Sequence, residues 1–239
     1  MPILSVATKP DPGLNLFLAS CELNQIKPII IGMNDPRPMD HKVNGMGLKL
    51  VILSEYLEKN ANTFKDDEIF LVSDAFDVIV VEPWDHLVAK YHSLHSEIIV
   101  SVEKNCHPDP KLAPAFDALA PNKPWRYINT GSLMMPFGTL KRLIKYRSFT
   151  TKTDDQLWFQ EVFFDKSKPF QITLDYNCEL FQTVFDSFED ISANLKGRWL
   201  NRITNSSPSI IHGNAMPVNM LLHLFRMTFP LVGIDTKNS

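Results

Sequence analysis

The sequence predicts an α/β fold built on an open, mixed but mostly parallel sheet flanked by helices, and three observations lead there. Short β-branched runs alternate with segments of helical apolar spacing, polar residues gather just past the carboxyl ends of those runs, and no internal repeat or linker divides the chain. The 239 residues are 44% hydrophobic and 21% charged, which supplies apolar mass for a sizeable core and excludes a fibrous or disordered protein. One domain over residues 1–239 is expected.

The elements follow in order. Ile3 to Ala7 reads as a buried strand, and after the turn Pro10-Asp11-Pro12-Gly13 the residues Leu14, Phe17, Leu18 and Cys21 mark one face of a helix. Pro28-Ile29-Ile30-Ile31-Gly32 is a second strand, so the opening segment forms a βαβ unit. Gly32 to Gly47 is polar and holds Gly32, Gly45 and Gly47 of the chain's 9 glycines; loops this long in compact domains tend to be functional. Leu50, Leu53 and Leu57 then recur at helical spacing before the strand Glu68 to Val72, which runs straight into Ser73-Asp74-Ala75-Phe76-Asp77. Further strands are expected at Ile98–Val102, Ile172–Leu174 and Ser209–Ile211, with helices over Leu140–Arg147 and Asp154–Phe164. The last helix spans Val218 to Phe229, with Val218, Leu221, Leu222, Phe225 and Phe229 on its apolar stripe. That stripe serves a core or a homodimer equally well.

Charge and composition narrow the partners. With 24 Lys+Arg against 27 Asp+Glu the net charge is −3, so nothing marks a nucleic-acid binder. No apolar run approaches the roughly 20 residues that cross a bilayer, and the N-terminus lacks the pattern of a signal peptide, so no membrane span is expected. Three cysteines, Cys21, Cys106 and Cys178, without a CxxC exclude a disulfide scaffold or thiolate zinc cage.

Open sheets of this kind bind ligands beyond the carboxyl ends of their strands. Asp74 and Asp77 lie there and offer hard oxygen ligands for Mg²⁺ or Mn²⁺, or else cap a surface turn. Phe76 between them is either a stacking platform or core. His212, followed by Gly213 and Asn214, also emerges at a strand end and is a candidate third ligand; His86, His92 and His95 sit on a solvated helix face and are rejected. Thr153 is the expected helix N-cap, with Asp154 and Asp155 in the first turn as acids for the helix dipole or for a sugar acceptor. Asn129-Thr130-Gly131-Ser132 reads as a turn by default. Lys49 reads as a solvated lysine or, at a helix start, as a cation awaiting an anion.

Taken together, Val6-Ala7-Thr8, Asp74-Ala75-Phe76-Asp77, Asn129-Thr130-Gly131, Asp154-Asp155-Gln156-Leu157, the run Ile172 to Thr183 around Cys178, and His212-Gly213-Asn214 resemble the glycosyltransferase domain of the multifunctional procollagen lysyl hydroxylases. The resemblance implies a GT-A fold, a UDP-sugar donor and Mn²⁺. Carried over by position, Asp74, Asp77 and His212 are the metal ligands, Phe76 stacks on uracil, and Thr8 and Lys49 hold the uridine portion. Asp154 and Asp155 fall near the acceptor and the reacting sugar, Asn129 lies in the donor corner, and Gly213 and Asn214 line the diphosphate.

The reaction this implies is transfer of glucose from UDP-glucose to galactosyl-hydroxylysine of collagen or a collagen-like protein, with retention. The alternatives are an inverting hydroxylysine galactosyltransferase using UDP-galactose and a weakly catalytic module that binds UDP or collagen. Two departures stand out: His107 replaces the family's Trp before Pro108-Asp109, and Ala215 to Asn219 offer no lysine after His-Gly-Asn. The implied compartment is the endoplasmic reticulum lumen for an excised domain, or the cytoplasm for a viral or microbial enzyme.

Overall fold

The structure is a computed structural model that describes residues 2–37 and 46–230, so part of the Gly32–Gly47 stretch lies outside the described residues. The opening βαβ unit forms as expected: β1 (Ile3–Val6), α1 (Pro12–Leu23) and β2 (Ile29–Ile31), with Leu4 opposite Ile29 in parallel register. Asp11 caps α1 by accepting from Gly13 N at 2.8 Å, and Pro12 opens the first turn, where its missing N–H costs nothing. Leu14, Phe17 and Cys21 are buried, but Leu18 is 36% exposed and Leu16 is buried in its place. The reason is that α1 lies between two sheets and needs a second apolar face.

After α2 (Gly47–Lys59), β3 (Ile69–Ser73) pairs parallel with β1. Next come β4 (Val78–Val80), α3 (Trp84–Ser93), β5 (Ile98–Glu103), α4 (Ala113–Leu119), β6 (Tyr127–Pro136), α5 (Phe137–Tyr146), α6 (Asp155–Phe164) and β7 (Ile172–Leu174). The large sheet runs β2-β1-β3-β6-β5-β7; β6 is antiparallel to both neighbours and the other pairings are parallel. β6 overturns the turn expected at Asn129–Ser132, because that segment sits inside a 10-residue central strand. Both faces of β6 are covered, which removes the polar alternation that signals a strand, and Gly131 imitates a turn signal. Leu4, Val72, Val100 and Leu133 pack beneath α2, α5 and α6, and Ile3, Leu71, Ile99 and Met134 pack beneath α1 and α3. Each such side chain contributes roughly 1.5–3 kcal/mol by leaving water.

A smaller sheet completes the molecule. β8 (Phe181–Thr183) and β4 flank β11 (Ile210–His212), while β9 (Ile191–Ala193) and β10 (Trp199–Asn201) form a hairpin. Its position depends on the run around Cys178: the buried Asp175 carboxylate accepts the backbone N–H groups of Glu179, Leu180 and Phe181 at 2.9, 2.8 and 2.9 Å. That knot turns the chain into β8, with Cys178 at φ 53°. β11 pairs antiparallel with β4 so that His212 stands opposite Val78, one residue beyond Asp77. Register alone therefore delivers the imidazole to the acids.

The final helix, α7 (Val218–Thr228), buries Leu221, Leu224, Phe225 and Thr228, whereas Val218 is 45% exposed. Val218 shares the stripe of Leu221 and Phe225 at i, i+3 and i+7 but stands exposed as the first residue of the helix, and Leu224 joins the face that packs toward α1 and the small sheet. Among the described residues no helix is long and apolar enough to cross a membrane.

Candidate active site

β3 ends at Ser73 and β4 begins at Val78, so Asp74 and Asp77 occupy the link between the two sheets. Asp74 N donates to Gly131 O at 2.9 Å and Gly213 N to Asp77 O at 2.6 Å, which holds the link between β6 and the end of β11. His212 Nε2 lies 3.3 Å from Asp77 Oδ2 and 3.8 Å from Asp74 Oδ2, and the three residues offer ligand atoms all within 4.8 Å of one another. The imidazole is 4% exposed while the acids are 27% and 30% exposed, so the group is closed by protein on one side and open on the other. Two carboxylates and one imidazole suit a divalent cation such as Mn²⁺, and an open face is what a reacting metal site requires.

The electrostatics agree with that donor set. Burial alone would strip the proton from His212, but Asp77, then Asp74 and Glu103, raise its pKa. Burial would likewise protonate Asp77, yet the His212 charge holds it below the usual carboxylate range. Asp77 and His212 thus each favour the other's charged form.

Asn129 decides which imidazole nitrogen faces the acids. Gly131 N donates to Asn129 Oδ1 at 3.0 Å, which fixes that atom as the amide oxygen, and the same oxygen lies 3.0 Å from His212 Nδ1. Nδ1 must therefore carry a hydrogen, leaving Nε2 directed at Asp74 and Asp77. Gly131 is required by the same geometry: a Cβ there would fall 2.1 Å from His212 Cε1.

Lys49 is not a solvated lysine. It is buried, and its Nζ sits 2.5 Å from Asp74 Oδ1 and 3.1 Å from Asp155 Oδ2, which also accepts from Thr130 Oγ1 at 3.2 Å. Burial would favour the neutral amine, but Asp74 and Asp155 outweigh it and raise the pKa. Gly47 makes this approach feasible, because a Cβ there would meet Thr150 O at 2.1 Å and push α2 from the loop that precedes α6. In that loop the N-cap is Asp154 rather than Thr153: Asp154 Oδ1 accepts from Leu157 N at 2.8 Å, while Thr153 Oγ1 accepts from Thr150 N. Asp154 is half-buried and Asp155 is buried.

The remaining expected residues lie around this centre. Thr8 is half-buried just past β1, and Phe76 is half-buried with its carbonyl so close to Gly13 that a Cβ there would be 1.7 Å away. Asn214 Oδ1 accepts from Phe185 N at 3.2 Å, and its Nδ2 donates to Glu103 Oε2 at 3.2 Å. His107 O accepts from Gln156 Nε2 at 2.7 Å and Gln160 Nε2 at 2.8 Å, which ties its loop to α6. Glu103 is the residue that sequence reasoning missed. It ends β5 as Asp74 follows β3, so the strand-end rule would have found it. Burial raises its pKa, against the pull of hydrogen bonds from Asn129 and Gln156.

The PLOD GT domain family model matches residues 1–226. Procollagen-lysine,2-oxoglutarate 5-dioxygenase 1 of Bos taurus is 27% identical over 217 residues, covering 89% of this chain and 29% of that protein. The multifunctional procollagen lysine hydroxylase and glycosyltransferase of Caenorhabditis elegans is 28% identical over 235 residues, covering 93% of this chain and 31% of that protein. The chain thus spans less than a third of the length of these relatives. A solved glycosyltransferase involved in the glycosylation of the major capsid of PBCV-1 superposes with a TM-score of 0.54 over 95% of this chain and 98% of its own, at 13% identity, and shares the fold. Matched by the family model from its first residue to 226, and folded as a glycosyltransferase, the chain belongs to the family of PLOD glycosyltransferase domains.

Proposed function

We propose that this domain transfers glucose from UDP-glucose to galactosyl-hydroxylysine in a collagen-like acceptor, with Mn²⁺ held by Asp74, Asp77 and His212 and with retention at the anomeric carbon. The observation that carries the reading is the meeting of those three side chains at the seam of the two sheets, with Nε2 facing both acids. A bound divalent ion supplies charge neutralisation for the departing diphosphate. The acceptor class is supported by the relatives, which are named for acting on procollagen lysine.

The chain's own residues do the rest. Asp155, fixed by Lys49 and Thr130, keeps a negative charge in place before any sugar arrives, so stabilising positive charge on the reacting ring needs no reorganisation. Lys49 balances Asp74 and Asp155 and gives the uridine side of the donor its one buried ammonium among the described site residues. Asp154 retains Oδ2 beside its capping oxygen and serves the acceptor hydroxyl. Phe76 and Thr8 hold the uridine, and Gly213 and Asn214 border the diphosphate.

The test is to incubate the protein with Mn²⁺, UDP-glucose or UDP-galactose, and peptides bearing hydroxylysine or galactosyl-hydroxylysine, then weigh the products. One added hexose from UDP-glucose on the galactosylated peptide alone is expected. Addition from UDP-galactose onto bare hydroxylysine would replace this reading with the galactosyltransferase, and UDP binding without product would replace it with a binding module.

A further inference from the structure

Glu103 is 6% exposed at the end of β5 and gathers three side-chain amides. Its Oε1 accepts from Asn129 Nδ2 at 3.2 Å and from Gln156 Nε2 at 3.0 Å, and its Oε2 accepts from Asn214 Nδ2 at 3.2 Å. The orientation of each amide is fixed independently, because a backbone N–H points at its oxygen: Gly131 at Asn129, Thr130 at Gln156 and Phe185 at Asn214. A backbone N–H only donates, so all three amides must present NH₂ to Glu103. Only an acceptor with no donor of its own satisfies that arrangement, and a glutamine would set NH₂ against NH₂. Among the described residues no Lys or Arg forms an ion pair with Glu103, so the hydrogen bonds to its buried carboxylate come from three amides.

The three amides come from β6, α6 and the loop after β11, which are the elements that carry His212's partner, Asp155 and Gly213. We propose that Glu103 is a positioning residue for the cation site: by holding Asn129 Nδ2 it aims Asn129 Oδ1 at His212 Nδ1, and so keeps Nε2 pointed at Asp74 and Asp77. The proposal rests on the cation reading above and adds to it a residue outside the three ligands.

The test is Mn²⁺ affinity, read by electron paramagnetic resonance on E103Q and on the swap E103Q/N129D, with metal-free melting curves alongside. E103Q is expected to bind Mn²⁺ about 10–100-fold more weakly, the range for outer-sphere partners of metal ligands. The swap places the carboxylate directly against His212 Nδ1 and an amide at position 103 to donate to it, while Gln156 Nε2 keeps His107 O as its acceptor, so affinity is expected to recover at least about threefold over E103Q. A merely structural Glu103 would lower the melting temperature of E103Q without moving Mn²⁺ affinity, and that result overturns the proposal. Failure of the unaltered protein to bind Mn²⁺ overturns the cation reading instead. Should E103Q not fold, the swap decides: a folded swap that binds Mn²⁺ supports the proposal, and a folded swap that does not bind it overturns it.

Discussion

Asn129 Oδ1 receives the Nδ1 proton of His212 across 3.0 Å, and this single hydrogen bond determines the face the imidazole offers to Asp74 and Asp77. Neither residue is close to the other in sequence. The first sits mid-strand in β6 of the large sheet and the second ends β11 of the small one, so the bond also spans the seam between the sheets.

Removing either ligand is expected to end cation-dependent transfer. D77A and H212A should each lower transfer from UDP-glucose at least about 1,000-fold, roughly 4 kcal/mol of barrier, at saturating Mn²⁺. Product formation by mass spectrometry checks it; turnover within tenfold of the unaltered enzyme contradicts the ligand assignment.

Gly131→Ala tests the close approach rather than the chemistry. The added methyl would fall 2.1 Å from the His212 ring, so either the ring or β6 must move. Overpacking of this kind costs about 1–3 kcal/mol. Mn²⁺ affinity should drop by at least tenfold while circular dichroism retains the strand signal.

Lys49→Met should reveal what the buried ammonium neutralises. Asp155 and Asp74 would be left without their cation, a loss of about 3–5 kcal/mol for a fully buried pair and less here because Asp74 is 27% exposed. Added Mn²⁺ should raise the melting temperature of this variant more than that of the unaltered protein, because a cation on Asp74 takes over part of the lost charge. Equal Mn²⁺-induced shifts would separate Lys49 from the cation site.

Acid should loosen the cation. His212 has its pKa raised by Asp77, and Glu103 has its pKa raised by burial, so both gain protons on acidification before ordinary groups of their kind would. Mn²⁺ affinity is expected to fall as pH drops through the raised His212 value, by up to about tenfold per unit for one competing proton. Without metal the sign reverses. The protonated His212–Asp77 contact stabilises the fold fully below the unfolded histidine value near 6.5 and is lost as pH rises through the folded one. Melting curves with and without Mn²⁺ from pH 5.5 to 8.5, a range chosen to bracket roughly that value, should therefore diverge upward.

Much of this architecture was legible in the sequence because the relevant signals are local. The βαβ opening, the strand before Asp74 and the helices at Leu50 and Asp155 all follow from periodicity and punctuation over a few residues. Asp74, Asp77 and His212 were legible as three strand-end groups, and their convergence followed once register set His212 beside Asp77. β6 was not legible: burial on both faces erased its alternation, and Asn129 and Gly131 carried turn chemistry into a strand for the sake of the imidazole. The burial of Lys49 was not legible for a related reason, since its two partners, Asp74 and Asp155, come from distant segments and no local pattern announces a buried ion pair. Glu103 was passed over because its value lies in three amides from three other elements.

The central claim is that one divalent cation joins Asp74, Asp77 and His212. Pulsed electron–nuclear double resonance on Mn²⁺-loaded protein with ¹⁵N-histidine reads it directly. A single directly bonded ¹⁵N coupling that disappears in H212A is the result expected, and Mn²⁺ bound with no histidine nitrogen in its coordination sphere would contradict the account.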